Sequence, residues 1–429
     1  MAESSLTPDM PDILTEAPPI PVRSKSLGFQ LLFGLANIVI GLTSLTIYQA
    51  ILPGQVAFLD AANKINLLAL ISSLGALGAV IANPLAGALS DRTTSRWGRR
   101  RPWILFGAVV AMIALVILAT ATSIVQLAIG GILIQIAMNI VLAALTAVIP
   151  DQVPMRQRAT VSAFAGMAPL VGGVVGLILI TQVVRDIQAS YYALAVISFV
   201  LLALFVLALR DAPLSREAVP PLHLRTFLAT FWVNPVRYPD FGYTFLGRLL
   251  VFTGYTTTVM YTFFFLQDAV KYTTIFPGQT VTQGVAIFQT IVVVCLVITG
   301  ILGGIISDRV QRRKPFLIGA SVVMTVALLL LAFFPSWSVV LVAAAILGIG
   351  FGIYLAVNLA LATQVLPTVR DSGKDLGIIN TAIFIPLIIA PLIAAVTLDT
   401  FHSYTALFLV AALSTLLASA LILPIKGVR

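Results

Sequence analysis

Gly87-Ala-Leu-Ser-Asp91-Arg92-Thr-Thr-Ser-Arg96-Trp97-Gly98-Arg99-Arg100-Arg101-Pro102 stands between two long apolar runs. Its opening returns 217 residues later as Gly304-Ile-Ile-Ser-Asp308-Arg309. The second copy is also followed by a basic cluster and a proline, Arg312-Arg313-Lys314-Pro315. A charged loop repeated at half the chain length, each time between hydrophobic segments, predicts two equivalent bundles in a membrane. Such halves move against each other around a central site.

The composition agrees. Of 429 residues 59% are hydrophobic and 10% charged, and the mean hydropathy is +1.06. A water-soluble chain carries about 25% charge, so lipid forms part of the solvent here. A hydrocarbon core of about 30 Å takes about 20 apolar residues per helix. On that measure, all-α spans are expected near residues 27–54, 66–89, 102–121, 124–149, 159–183, 190–209, 241–268, 283–306, 315–334, 338–365, 374–398 and 402–424. The domain expectation is a disordered tail (1–26), a six-helix bundle (27–209), a linker (210–240) and a second bundle with a short tail (241–429). Within the linker, residues 222–232 read either as an amphipathic helix on the membrane surface or as unstructured chain.

The positions of the basic residues give the orientation. With both termini cytoplasmic, the outer loops hold only Lys64, Arg185 and Lys271, and Arg248 lies within a span. That leaves 21 of the 25 Lys and Arg residues on the cytoplasmic side, as the positive-inside rule requires. The formal charge of +9 therefore reflects topology and implies no nucleic-acid partner. Cys295 is the only cysteine and sits in an apolar run, so it reads as a bystander with no metal or redox role and no cofactor is expected. The spans hold no embedded acid, histidine, nucleophile pair or metal cluster, which disfavours an enzyme.

Six helices, a cytoplasmic link, six more helices and a duplicated G-x-x-x-D-R loop resemble the major facilitator superfamily. Asn83-Pro84-Leu-Ala-Gly87, Thr94-Ser95-Arg96-Trp97-Gly98 and Pro102-Trp103-Ile104-Leu105 are similar to the helix 2–3 region of the melibiose carrier group, the glycoside–pentoside–hexuronide cation symporters. The whole loop from Ser90 to Pro102, and Gly377-Ile-Ile-Asn380 through Pro386, resemble plant sucrose–proton symporters. The resemblance implies a multi-pass carrier of the cell membrane, of the kind found in a bacterial inner membrane, for which a monomer suffices. It implies a gate at the repeated loops, formed by Gly87, Asp91, Arg92, Arg96, Gly98 and Arg99 in the first half and Gly304, Asp308 and Arg309 in the second. There a carboxylate would pair with Arg or cap a helix, and Gly87 and Gly304 would let helices approach. Arg100 and Arg101 are expected to be topological anchors.

The chain departs from that family where coupling chemistry should lie. The family's helix-2 acids fall at Ala79 and Asn83, and its helix-4 acid at Asn139 or, in the sucrose carriers, at Gln135. The helix-1 acid and helix-5 arginine of the melibiose group fall near Ala36 or Asn37 and near Gly166. Proton relays and sodium sites normally need a membrane carboxylate or histidine, so obligatory cation coupling is not expected. The polar groups that remain in spans are candidates for the solute site: Asn37, Gln135, Asn139, Tyr255, Tyr261, Gln289, Asn358 and Asn380. Neutral amides and aromatic rings suit a polyhydroxylated solute, though each amide could equally bond across a helix interface. Arg248, about 10–12 Å into helix 7, either contacts an anion in the cavity or snorkels and pairs with Asp240 or Asp151. The expectation is a secondary transporter for a small polar solute, a sugar or glycoside among them. The alternatives are an exporter of amphipathic compounds, a lysolipid carrier or a non-transporting sensor.

Overall fold

A computed structural model describes residues 25–211, 213–214, 238–310, 312–364 and 372–425. Most of the tail and of the linker, including the segment 222–232, lies outside the described residues. So do the side chains of Asp308 and Asn380.

Twelve helices are long and apolar enough to cross a membrane. They are α1 (Leu27–Leu59), α2 (Lys64–Asp91), α3 (Arg101–Ala119), α4 (Ile124–Gln152), α5 (Met155–Ile178), α6 (Ile187–Ala208), α7 (Pro239–Asp268), α8 (Val281–Val310), α9 (Lys314–Phe333), α10 (Trp337–Gln364), α11 (Ser372–Phe401) and α12 (Tyr404–Ile422). Local chemistry sets their starts. The Ser26, Ser123 and Asp186 side chains accept from Phe29, Gln126 and Ala189 N–H at the first turns of α1, α4 and α6. Two spans differ from expectation. α1 continues to Leu59 through Pro53 and Gly54, after one π-helical stretch, Ile47–Ile51. α5 begins four residues early, directly after Pro154, and is prolonged by a π-helical stretch, Leu179–Val184. In lipid a helix cannot abandon its hydrogen bonds to water, so α1 continues past Pro53 and does not end there.

The two halves pack in the same order. α1 lies on α5 and α6, α2 on α4, and α3 on α4 and α6. In the second half α7 lies on α11 and α12, α8 on α10, and α9 on α10 and α12. Each contact recurs six helices later, the structural counterpart of the duplicated loop. Glycines set the tightest approaches. A Cβ at Gly41 would overlap the Pro169 carbonyl, and one at Gly172 the Ile38 carbonyl. Likewise Gly348 and Gly352 seat α10 against the Val292 and Leu296 carbonyls of α8. The loop glycines do not play this part: a Cβ at Gly87 meets nothing within 4 Å, and one at Gly304 only Ala356 at 3.7 Å. The close-approach role expected of them belongs to these other glycines.

The outer faces carry a hydrocarbon coat. On α2, Leu70, Leu74, Leu77, Ile81, Leu85 and Leu89 recur at helical spacing and are exposed, while Leu68, Ile71 and Ala79 are buried. An apolar stripe of that length needs lipid to cover it. The chain is a multi-pass membrane protein.

Between the halves, α2 meets α11 and α5 meets α8. Among the described residues, the polar contacts that cross lie toward the end remote from the duplicated loops. Lys64 Nζ is 2.7 Å from Asp268 Oδ1, Asn66 donates to Asp399 at 2.7 Å, and the Ser73 hydroxyl donates to the Ile388 carbonyl at 2.7 Å. Tyr404 donates to the other oxygen of Asp268 at 2.6 Å and so braces the clamp.

Candidate functional site

The loop that opened the sequence folds around one guanidinium. Arg100 is 3% exposed. Its Nη2 lies 2.6 Å from Asp91 and its Nε 2.8 Å from Asp151, while Nη1 donates to the Ser90 hydroxyl at 2.8 Å. Arg99 adds a second cation on Asp151 at 3.0 Å. Asp211, just beyond α6, accepts from the backbone N–H of Arg100 and Arg101 at 2.5 and 3.1 Å, satisfying free donors at the start of α3. Gly98 is required beneath it: its φ is +97°, and a Cβ would strike the Asp211 carboxylate. The ends of α2, α3, α4 and α6 are thereby tied into one block.

The anchor role expected of Arg100 is thus corrected, since an anchor would reach into solvent. Asp151, Ser90 and Asp211 join Asp91 and Arg99, two of the residues expected at the gate, in this network. Asp151 directly follows Pro150 at a span end, and Asp211 follows Arg210; an acid so placed beside an Arg cluster was the available signal. Arg92 turns back to donate to the Ala88 carbonyl at 2.8 Å. Arg96 and Arg309 are exposed.

In the first half, the amide of Asn139 donates to the Gln135 carbonyl one turn earlier at 3.0 Å. Asn83 reaches it from α2 through long contacts, 3.4 Å to the Asn139 carbonyl and 3.5 Å to its side-chain oxygen. The two positions at which the family resemblance implied acids are therefore neighbours here, joined as amides. Gln135 packs against Gly75, and Tyr48 beside it donates to the Gly131 carbonyl at 2.8 Å. Asn37 is 1% exposed and donates to its own helix, at the Phe33 carbonyl, 2.8 Å away. Its geometry is that of an internally satisfied amide.

The second half gathers more of the expected residues. Tyr255 of α7 stacks on Phe351 of α10, ring centroids 3.8 Å apart, and hydrogen-bonds Gln289 of α8. Asn358 donates to the Tyr354 hydroxyl at 3.1 Å within α10. Phe252 meets Phe351 edge-on at 5.3 Å. Arg248 lies beside this cluster, its guanidinium 5.8 Å from the Phe252 ring centre. It is 6% exposed, and neither Nε nor Nη1 has a partner. Asp151, one of its expected partners, is taken by Arg99 and Arg100. Tyr261 stands apart: it donates to the Pro391 carbonyl at 3.0 Å and joins α7 to α11.

At the end remote from the loops, a cavity of about 1150 Å³ opens between the halves. Gln55, Thr181, Gln267, Gln279 and Gln283 line it, with Arg185 and Asp186 at its edge. Near its rim, the Asn63 side chain and backbone donate to Asp60 and hold that carboxyl below the usual carboxylate range. Among the described residues no three His, Cys, Asp or Glu side chains gather as a metal site would need.

The chain can now be set beside known proteins. The model of the Major Facilitator Superfamily matches residues 31–303 and 278–428. The general alpha-glucoside permease of Schizosaccharomyces pombe is 31% identical over 121 residues, covering 24% of this chain and 22% of that protein. The inner membrane symporter YicJ of Escherichia coli is 29% identical over 177 residues, 36% of each chain. The matched stretches thus span about a fifth to a third of these relatives' own length. The crystal structure of the nucleoside transporter NupG superposes with a TM-score of 0.70 over 93% of this chain and 99% of its own, at 15% identity, a likeness of fold alone. With a family model spanning nearly the whole chain, and the same helix packing in both halves, this protein belongs to the major facilitator superfamily.

Proposed function

We propose that the chain is a membrane carrier that moves a small polyhydroxylated solute, a sugar or glycoside, by alternating access and without an obligatory proton or sodium partner. The carrying observation is the asymmetry between its two ends. Halves of equal packing are clamped by Lys64–Asp268, Asn66–Asp399 and Ser73–Ile388 at one end. At the other, Arg100 binds acids of its own half. With the loops cytoplasmic, as the basic residues require, the clamp lies at the outer end, beside the cavity that opens there between the halves, and Asp91 and Asp308 act at the inner end.

Amide and aromatic groups at Gln135, Asn139, Tyr255, Gln289 and Asn358 suit hydroxyl-rich solutes, and the alpha-glucoside permease among the relatives supports that class. The proposed lack of coupling rests on Asn83 and Asn139, amides at the positions where the family resemblance implied acids.

Purified protein in vesicles, with the membrane potential clamped at zero, should equilibrate methyl α-glucoside or maltose without concentrating it. An imposed sodium or pH gradient should not change the end point. Uphill accumulation that collapses with a protonophore or a sodium ionophore overturns the uncoupled mechanism. Uptake of lysolipid in place of sugar overturns the solute class.

A further inference from the structure

The least satisfied group among the described residues is Arg248. It is a full positive charge, nine-tenths buried, with two guanidinium nitrogens that meet no acceptor. Its one electrostatic neighbour among the described residues is Tyr354, a neutral phenol, and its aromatic neighbour Phe252 offers only a ring at 5.8 Å. A membrane-buried arginine that serves structure pairs with an acid or with backbone carbonyls. Neither is found here, and a guanidinium cannot shed its charge. Its place in the fold explains what it awaits. α7 packs its backbone on α11 and α12, and α10 packs on α8 and α9. The two are bridged in this region by side chains: Tyr255 on Phe351, Phe252 on Phe351. Arg248 is nine residues along α7 from Pro239, about 13 Å from its loop end at 1.5 Å per residue, the end at which the described residues show no polar clamp between the halves.

We infer that Arg248 is an anion-binding group of the solute site, and that the solute carries a negative charge, a carboxylate or a phosphate-like group, on a polyhydroxylated body. This rests on the carrier function proposed above and deepens it. Arg248 binds the anionic group and the Asn358 amide, the Tyr354 hydroxyl and the Tyr255–Gln289 pair face the hydroxyls.

The test uses the purified full-length protein and a matched pair of probes, methyl β-glucoside and methyl β-glucuronide, which differ by one carboxylate. Inorganic phosphate at equal ionic strength serves as a body-free anion. Ligand-induced thermal stabilisation is read across a concentration series. The wild type should bind the glucuronide about tenfold tighter than the glucoside. Arg248→Gln should erase that ratio, and Arg248→Lys should keep part of it. If the wild type itself shows no preference for the acid, the inference is overturned without any variant having to fold. An unchanged ratio in Arg248→Gln overturns it too. If neither sugar binds but phosphate stabilises the wild type and not Arg248→Gln, the anion site stands and the sugar class falls.

Discussion

Arg100 gives a prediction whose size follows from the geometry. Replacing it with alanine removes three interactions at once, to Asp91, Asp151 and the Ser90 hydroxyl. Deleting one partner of a buried ion pair costs about 3–5 kcal/mol, because the other charge is left without compensation. The two acids here keep some solvent, Asp91 at 50% and Asp151 at 21% side-chain exposure. They rehydrate in part, which places Arg100→Ala near the lower end, about 3 kcal/mol. Asp151→Asn weakens the bonds of both Arg99 and Arg100 and should cost about 2 kcal/mol. Asp91→Asn loosens a half-exposed contact and should cost about 1 kcal/mol or less. Arg100→Lys keeps the charge but cannot reach three acceptors, so it should fall between wild type and alanine. The assay is denaturant unfolding in detergent, followed by the fluorescence of Trp103, whose indole donates to Thr93 beside the network at 2.8 Å. The predicted order is Arg100→Ala, then Asp151→Asn, then Asp91→Asn. If Arg99→Ala or Asp91→Asn destabilises more than Arg100→Ala, Arg100 is not the centre of this block.

Two further predictions address the site and the clamp. Alanine at Gln135 or Asn139 should weaken solute binding by about 0.5–1.5 kcal/mol per lost neutral hydrogen bond, with ligand-free stability little changed. Lost stability at unchanged affinity, read by the same thermal-shift titration, would mark them as interhelical ties. A carbodiimide should join Lys64 to Asp268, 2.7 Å apart, in the clamped state. Peptide mapping should find that link, and linked protein should stop exchanging solute; transport surviving full linkage would mean that this end need not open.

The twelve spans were legible because lipid demands long apolar runs, and the sequence has no other use for them. The edges were less legible. The expected span 27–54 falls short, because the helix runs on through Pro53 and Gly54 to Leu59 after the π-helical stretch. The site was legible in its residue types and not in its pairings. Arg99, Arg100 and Arg101 are interchangeable as letters; only packing makes one of them the buried hub. Gln135 and Asn139 share a face by spacing, but no spacing tells that Asn139 meets Asn83 from another helix. Arg248 stood out as the single charge within a span, and its lack of a partner became visible only once Asp151 was seen to be occupied.

The seams between the halves carry a mechanical consequence. Counting six helices on, α2 corresponds to α8 and α11 to α5, so the α2–α11 and α5–α8 contacts are one interface occurring twice. Two corresponding seams flanking a pseudo-twofold axis, the α2–α11 one the more extensive, act as a pair of hinges, and points near a hinge travel least when the halves rock. α4 and α10 form no comparable seam among the described residues, and at the loop end they sit at the far end of the lever. Spin labels or fluorophores on those helix ends would sweep the longest arc in the molecule, and a pair across the α5–α8 seam, which carries none of the clamp contacts described above, would serve as the reference that moves least.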